Sequence, residues 1–347
     1  MLIDIVKLHP LFLSVPIVIV NATTRQHVIV IVIGICCVPS PTYAELDRGY
    51  SMEEVELRHE RMAGDGIDLH VVVAGKGPPV ILLHGFPENW RSWLQQIPVL
   101  AAGGFSVLAP DMRGYNLSGR PAERDAYKLD HLVADVAALV HASGYARAHI
   151  VGHDWGGIIA WSFADRYPEL VDKLVILNAP HPKIYLEKVR HLPQMLRSWY
   201  VLFFLLPRLP EVVLSANNYQ AIRDMFRLRP ARIGAFSKRD IEHYIEALSQ
   251  PGALTAALDY YRANVSGGTL RKFAQGGPIN AETLVIWGEL DPALGPELLD
   301  GLSNVAPHVR VYRIPDASHW VQNEAPAEVN KALVDFLKGE DMTTPLR

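Results

Sequence analysis

The chain has 347 residues, 49% of them hydrophobic and 20% charged, with a net charge of −4 and a pI near 6.4. That is length enough for one large core with a smaller module inserted in it, and the mild acidity excludes the basic footprint of a nucleic-acid binder. No block of like charges reads as an interaction tail, and no repeat or low-complexity tract interrupts the chain.

Residues 1–44 stand apart, with two apolar stretches, 11–20 and 28–38, flanking a polar patch. The second has the length of a signal-peptide apolar region and is too short to span a bilayer; Arg25 and His27 precede it, and Thr42-Tyr43-Ala44 follows as a small-residue cleavage site. The segment therefore predicts export or membrane anchoring, with membrane contact only if it is retained. The alternative is a start near Met52, which leaves the protein cytoplasmic. Both cysteines, Cys36 and Cys37, lie in this segment, so the remaining domain has neither a disulfide framework nor a thiol nucleophile.

From Val55 onward short β-branched runs alternate with longer helical ones, as in a mostly parallel sheet flanked by helices. Residues 55–61 and 68–73 read as two opening strands about the turn Ala63-Gly64-Asp65-Gly66. Residues 80–84, 105–109, 149–152 and 173–177 are continuous apolar runs, the pattern of strands buried on both faces, and 132–142 is spaced as an amphipathic helix. The alternation stops at Asn178-Ala179-Pro180-His181-Pro182. Residues 181–265 then read as helices separated by prolines, before strands resume at 284–287 and 309–314 and a helix closes at 328–338. Core segments 53–180 and 266–340 thus enclose a helical cap at 181–265, placed over the strand ends where ligands bind in open α/β sheets.

Gly152-His153-Asp154-Trp155-Gly156 falls where a buried strand meets a helix. It has the form small-x-nucleophile-x-small, with Asp in the place that Ser takes in esterases. At such an elbow the side chain sits at a helix N-terminus, which favours an anion, and an aspartate is already ionised near neutrality. No Gly-x-Ser-x-Gly occurs anywhere, so a serine esterase lacks its nucleophile. No His-Glu-x-x-His, Walker loop or dinucleotide fingerprint appears either, so no metal, nucleotide or other cofactor is expected. His84-Gly85-Phe86-Pro87-Glu88 ends another buried strand. On this pattern the backbone N–H groups of Phe86 and Trp155 form the oxyanion hole. The acid and base should follow in that order: Asp291 in Gly288-Glu289-Leu290-Asp291-Pro292, with Glu289 as its neighbouring rival, and His319 in Asp316-Ala317-Ser318-His319-Trp320.

Together with Asp111-Met112-Arg113-Gly114-Tyr115 and Asn178–Pro182, these motifs resemble the soluble epoxide hydrolases, the Asp-nucleophile branch of the α/β-hydrolase fold, over about residues 53–340. The resemblance implies an α/β-hydrolase fold with a helical cap and a small-molecule epoxide as substrate. It also implies two cap tyrosines that donate hydrogen bonds to the epoxide oxygen. The matching positions are Tyr200 in Ser198-Trp199-Tyr200 and Tyr261 in Leu258-Asp259-Tyr260-Tyr261-Arg262, with Tyr260 packing instead. Seen without the family, a tyrosine on a helix is more often a core residue. A dehalogenase with the same Asp nucleophile is the nearest rival. Its second halide donor would in many members fall at Phe86, whose side chain cannot donate. A non-catalytic hydrolase-fold binding protein is the other alternative, but such proteins usually lack a triad member.

Overall fold

A computed structural model describes residues 55–265 and 268–340. The expected signal segment and the alternative start at Met52 lie outside the described residues. Eight strands form one sheet in the order β1-β2-β4-β3-β5-β6-β7-β8. They are β1 (Arg58–Ala63), β2 (Asp68–Gly75), β3 (Pro79–Leu83), β4 (Ser106–Pro110), β5 (Ala148–His153), β6 (Val171–Leu177), β7 (Glu282–Gly288) and β8 (Val309–Ile314). β1 and β2 pair antiparallel, β2 joins β4 antiparallel, and every other pairing is parallel.

The central strands are fully buried because both of their faces are covered. Ile81, Leu83, Ile150, Leu174 and Ile176 pack to one side, and Val80, Leu82, Val151, Val175 and Leu177 to the other. Successive residues of a strand point to opposite faces, so two covered faces demand the unbroken apolar runs seen in the sequence. Helices α1 (Ile97–Ala102), α2 (Leu129–Ala142) and α3 (Trp155–Arg166) follow β3, β4 and β5 respectively. α2 turns Leu132, Val136, Leu139 and Val140 inward, while α3 is buried almost all round, as a helix between sheet and cap must be.

Between β6 and β7 the described residues are wholly helical or loop: α4 (Pro182–Lys188), α5 (Leu192–Arg197), α6 (Trp199–Phe204), α7 (Leu209–Leu228), α8 (Lys238–Ser249), α9 (Ala253–Asn264) and α10 (Thr269–Phe273). α11 (Leu302–Val305), α12 (Val321–Glu324) and α13 (Pro326–Lys338) complete the core. Two boundaries differ from the sequence reading. β1 begins at Arg58 rather than Val55, because its register against β2 starts with Arg58 opposite Val73. Helical chain also continues past residue 265 through α10, whose Leu270 and Phe273 bury an apolar face too short to show a period. α7 is interrupted at residues 216–219, where Asn217, Asn218 and Tyr219 all take positive φ.

Candidate active site

The elbow follows from its glycines. Asp154 has φ 51° and ψ −119°, a conformation that costs about 1–3 kcal/mol for a residue with a Cβ. The turn closes because β5 and α3 approach closely, where a Cβ at Gly152 would collide with the Gly156 carbonyl oxygen, and α3 also presses on β3, where a Cβ at Gly156 would collide with the Leu83 carbonyl oxygen. A Cβ at Gly85 would strike the Asp154 carboxylate itself, so the loop after β3 can pass Asp154 only as glycine. Asp154 is thereby lifted from the end of β5 into a pocket beneath the cap. Its lining includes Trp155, Tyr185, Tyr200, Val201 and Tyr261.

The two carboxylate oxygens of Asp154 have different surroundings. Oδ1 accepts the Phe86 N–H at 2.8 Å, while Oδ2 lies 3.7 Å from His319 Nε2, beyond hydrogen-bonding distance. The second expected donor, the Trp155 amide, is on the first residue of α3 beside Asp154 and makes no hydrogen bond to the carboxylate. Oδ1 is thus held by a hydrogen bond, while Oδ2 has only the longer ion-pair contact with His319.

On the far side of the imidazole, His319 Nδ1 donates to Asp291 Oδ2 at 2.7 Å. Asp291 is fixed by three further donors: Asn178 Nδ2 on Oδ2 at 2.9 Å, and the Ala293 and Leu294 amides on Oδ1 at 2.8 and 2.9 Å. Glu289 instead faces outward and pairs with Arg313 at 2.8 Å. Asp291→Asn should therefore slow the His-dependent step by about 10²–10⁴, because the imidazole loses the carboxylate that orients and stabilises its protonated form. Glu289→Gln should leave that step within about twofold, since an exposed ion pair contributes at most about 1 kcal/mol to stability. Pre-steady-state rates of the two variants check both statements.

Burial alone would push His319 down, but the carboxylates of Asp291, Asp154 and Glu88 outweigh it and raise its pKa to about 9. With Asp154 ionised the resting imidazole therefore holds its proton at neutral pH. Burial pushes Asp291 up, yet its donors and the His319 charge leave it below the usual range.

Tyr200 and Tyr261 approach from the cap with ring centroids 6.3 Å apart, and Tyr261 sits edge-on to Trp155 at 5.0 Å. Burial raises both phenols well above their ordinary value, Tyr200 further by Tyr185 and Asp154 and Tyr261 further by Asp154 and Tyr200, so both keep their protons at neutral pH. The adjacent Tyr260 points elsewhere and donates to the Arg113 carbonyl at 2.7 Å. Neighbours on a helix differ by about 100°, so one ring faces the pocket and the other the core.

Several supports of this arrangement have no sequence signal of their own. His153 bridges Glu88 Oε2 and the backbone oxygen of His319, each at 2.9 Å, tying the loop after β3 to the loop that carries His319. Buried Gln194 on α5 donates to Ser198 Oγ and to the Ala293 carbonyl, and accepts the Gly295 amide. Gln194 thus joins the cap segment leading to Tyr200 to the loop that carries Asp291. Glu88 and His153 fall inside motifs read from the sequence, but nothing there pairs residues so far apart. A glutamine in a helix carries no pattern at all.

A family model described as the α/β-hydrolase fold matches residues 78–326. A Bacillus subtilis (strain 168) protein named AB hydrolase superfamily protein YfhM is 40% identical over 285 residues, which cover 80% of this chain and 96% of that one. Mouse (Mus musculus) epoxide hydrolase 4 is 37% identical over 288 residues, covering 81% of this chain and 79% of its own. Among solved structures, epoxide hydrolase A from Mycobacterium thermoresistibile superposes with a TM-score of 0.73 at 30% identity, covering 82% of this chain and 99% of that one. The Bacillus megaterium epoxide hydrolase in complex with an inhibitor gives 0.73 at 32% identity, covering 80% and 100%.

Proposed function

The chain belongs to the epoxide hydrolase family of the α/β-hydrolase fold and is a hydrolase, and from that premise we propose that it converts an epoxide to a vicinal diol through an alkyl ester of Asp154. The observation that carries the reading is the asymmetry of Asp154: Oδ1 accepts the Phe86 N–H, while Oδ2 is 3.7 Å from His319, beyond hydrogen-bonding distance, in the pocket that the cap tyrosines line.

In the first step Oδ2 attacks an epoxide carbon. The carbon–oxygen bond of the ring breaks, and the departing alkoxide takes a proton from Tyr200 or Tyr261. In the second step His319, having passed its resting proton through water to the tyrosinate left by the first step, takes a proton from water as the hydroxide attacks the ester carbonyl carbon of Asp154, and the proton of the added hydroxyl leaves with the diol. The oxyanion forms at Oδ1, beside the Phe86 and Trp155 amides, then collapses to release the diol and restore the carboxylate. The first step itself prepares the base. Esterification turns Asp154 neutral, removing one of the carboxylates that raise His319, so the imidazole gives up its proton more readily when it must act as base. Asp154→Asn removes the same charge, and its His319 should titrate clearly below about 9 by NMR. An unchanged titration would mean that Asp154 does not control the base.

A single turnover in ¹⁸O-labelled water tests the covalent step. The new hydroxyl of the diol originates from Asp154, so the first product should carry no label and Asp154 should gain it. Label in the first diol would show direct attack by water.

A further inference from the structure

The outer face of the cap is apolar and covered by nothing in the described residues. From residue 192 to 205 the backbone is nearly one helical rod, since α5 and α6 are joined through Ser198, whose amide bonds to the Gln194 carbonyl and whose own carbonyl accepts the Val201 amide. One side of this rod packs inward through Ser198, Val201 and Phe204. The opposite side carries Leu192, Met195, Leu196, Trp199 and Leu202, all exposed, with Leu192 at 61%, Trp199 at 62% and Leu202 at 70%. At about 100° per residue these five fall within an arc of roughly 120°, so they form a stripe rather than scattered exposures. Exposed Leu206, Leu209, Val212 and Val213 follow along the chain. A helix that is apolar on both faces is normally buried on both.

The charges that flank the stripe along the chain point to what covers it. Residues 183–208 hold five basic residues, Lys183, Lys188, Arg190, Arg197 and Arg208, against the single acid Glu187, although the whole chain carries −4. Lys188 and Arg197 are paired with Asp300 and Glu297, whereas Lys183, Arg190 and Arg208 are exposed and enter no ion pair among the described residues. An apolar face with a tryptophan and a basic margin is the composition of a helix lying in the interface of an anionic bilayer. A second copy fits less well, because a two-fold contact would bring the same basic margins together. No described helix is long and apolar enough to cross a membrane, so contact by these residues would be superficial. We propose that the α5–α6 face of the cap docks on an anionic lipid surface, with Trp199 and Leu202 in the interface and Arg190 and Arg208 on the headgroups. The inner face of the same rod lines the pocket through Tyr200 and Val201, so the site would lie one helix thickness from the lipid, where an apolar epoxide concentrates.

The test must be resolved by residue, since the apolar stretches in residues 1–44 give the full chain a second route to vesicles. Hydrogen exchange of the full chain should slow by roughly tenfold across residues 192–206 on vesicles of equimolar phosphatidylcholine and phosphatidylglycerol, and much less on phosphatidylcholine alone. Brominated lipid should quench tryptophan fluorescence in the unsubstituted chain, and Trp199→Phe should remove most of that quenching. Leu202→Glu should abolish the protection while hydrolysing a water-soluble epoxide at the ordinary rate. Unchanged exchange across 192–206 on saturating anionic vesicles overturns the proposal. So does protection that appears without lipid and vanishes in Leu202→Glu together with a sedimenting dimer, which would make a second copy the occupant. Exchange needs no turnover, so a failure of the epoxide reaction leaves its outcome readable.

Discussion

His319→Gln incubated with an epoxide substrate should gain the mass of one epoxide and stay there, while Asp154→Asn should gain nothing. On the proposed route the two steps call on different side chains. The attack uses Oδ2 of a carboxylate already ionised, and no side chain has to remove a proton for it. His319 Nε2 stands 3.7 Å from that oxygen, so it does not hydrogen-bond to the nucleophile but does border the place a water would take beside the ester. Loss of the imidazole therefore spares alkylation and slows ester hydrolysis by on the order of 10²–10⁴, the range of a positioned general base. Gln keeps a polar side chain of similar reach near Asp291, so the fold should survive. Intact-mass spectrometry after short incubation, with the modified peptide mapped to residue 154, is the measurement. Absence of an adduct in His319→Gln across aliphatic and aromatic epoxides would sink the two-step route. An adduct in Asp154→Asn would place the nucleophile elsewhere.

How much of this was legible in the sequence depends on how local each signal is. The central strands read clearly because burial on both faces demands continuous apolar residues, and the elbow read clearly because its small-x-Asp-x-small pattern is confined to five consecutive residues, although the contacts that require its glycines reach as far as Leu83. The opening strand was misplaced by three residues at its start, since β1 is an edge strand whose register is set by its partner β2 and not by its own composition. The sequence left Glu289 as a rival to Asp291, and their partners separate them: His319, Asn178 and the Ala293 and Leu294 amides bond to Asp291, whereas Glu289 pairs with Arg313. Gln194 and the Glu88–His153 link were invisible because each works through partners distant in the chain. The stripe on α5 and α6 was hidden for another reason. Apolar residues on two opposite faces of a helix look the same as a fully buried one until exposure is known.

Tyr200→Phe and Tyr261→Phe should each slow alkylation by about ten- to a thousandfold, and the double variant should be essentially inactive on epoxides while folding normally. Ring opening generates an alkoxide that stays tethered to the substrate and is too basic to persist at neutral pH without a proton. Both phenols face the pocket above Asp154 and both are held in the protonated form, first by burial and then by negative charge nearby. Either can donate to the same oxygen, so each single variant retains one donor and loses less than a lone acid would. Phe keeps the ring contacts, including Tyr261 on Trp155 and Phe204 and Tyr200 on Phe204, which is why stability should change little. Tyr260→Phe is the control. Its hydroxyl bonds the Arg113 carbonyl in the core, so it should cost about 1 kcal/mol of stability and leave the alkylation rate unchanged. Single-turnover alkylation rates for the four variants, with thermal unfolding beside them, make the measurement. A double variant that still alkylates at the ordinary rate would reduce the cap tyrosines to packing residues. It would leave the Asp154–His319–Asp291 arrangement in place with the source of the alkoxide's proton elsewhere.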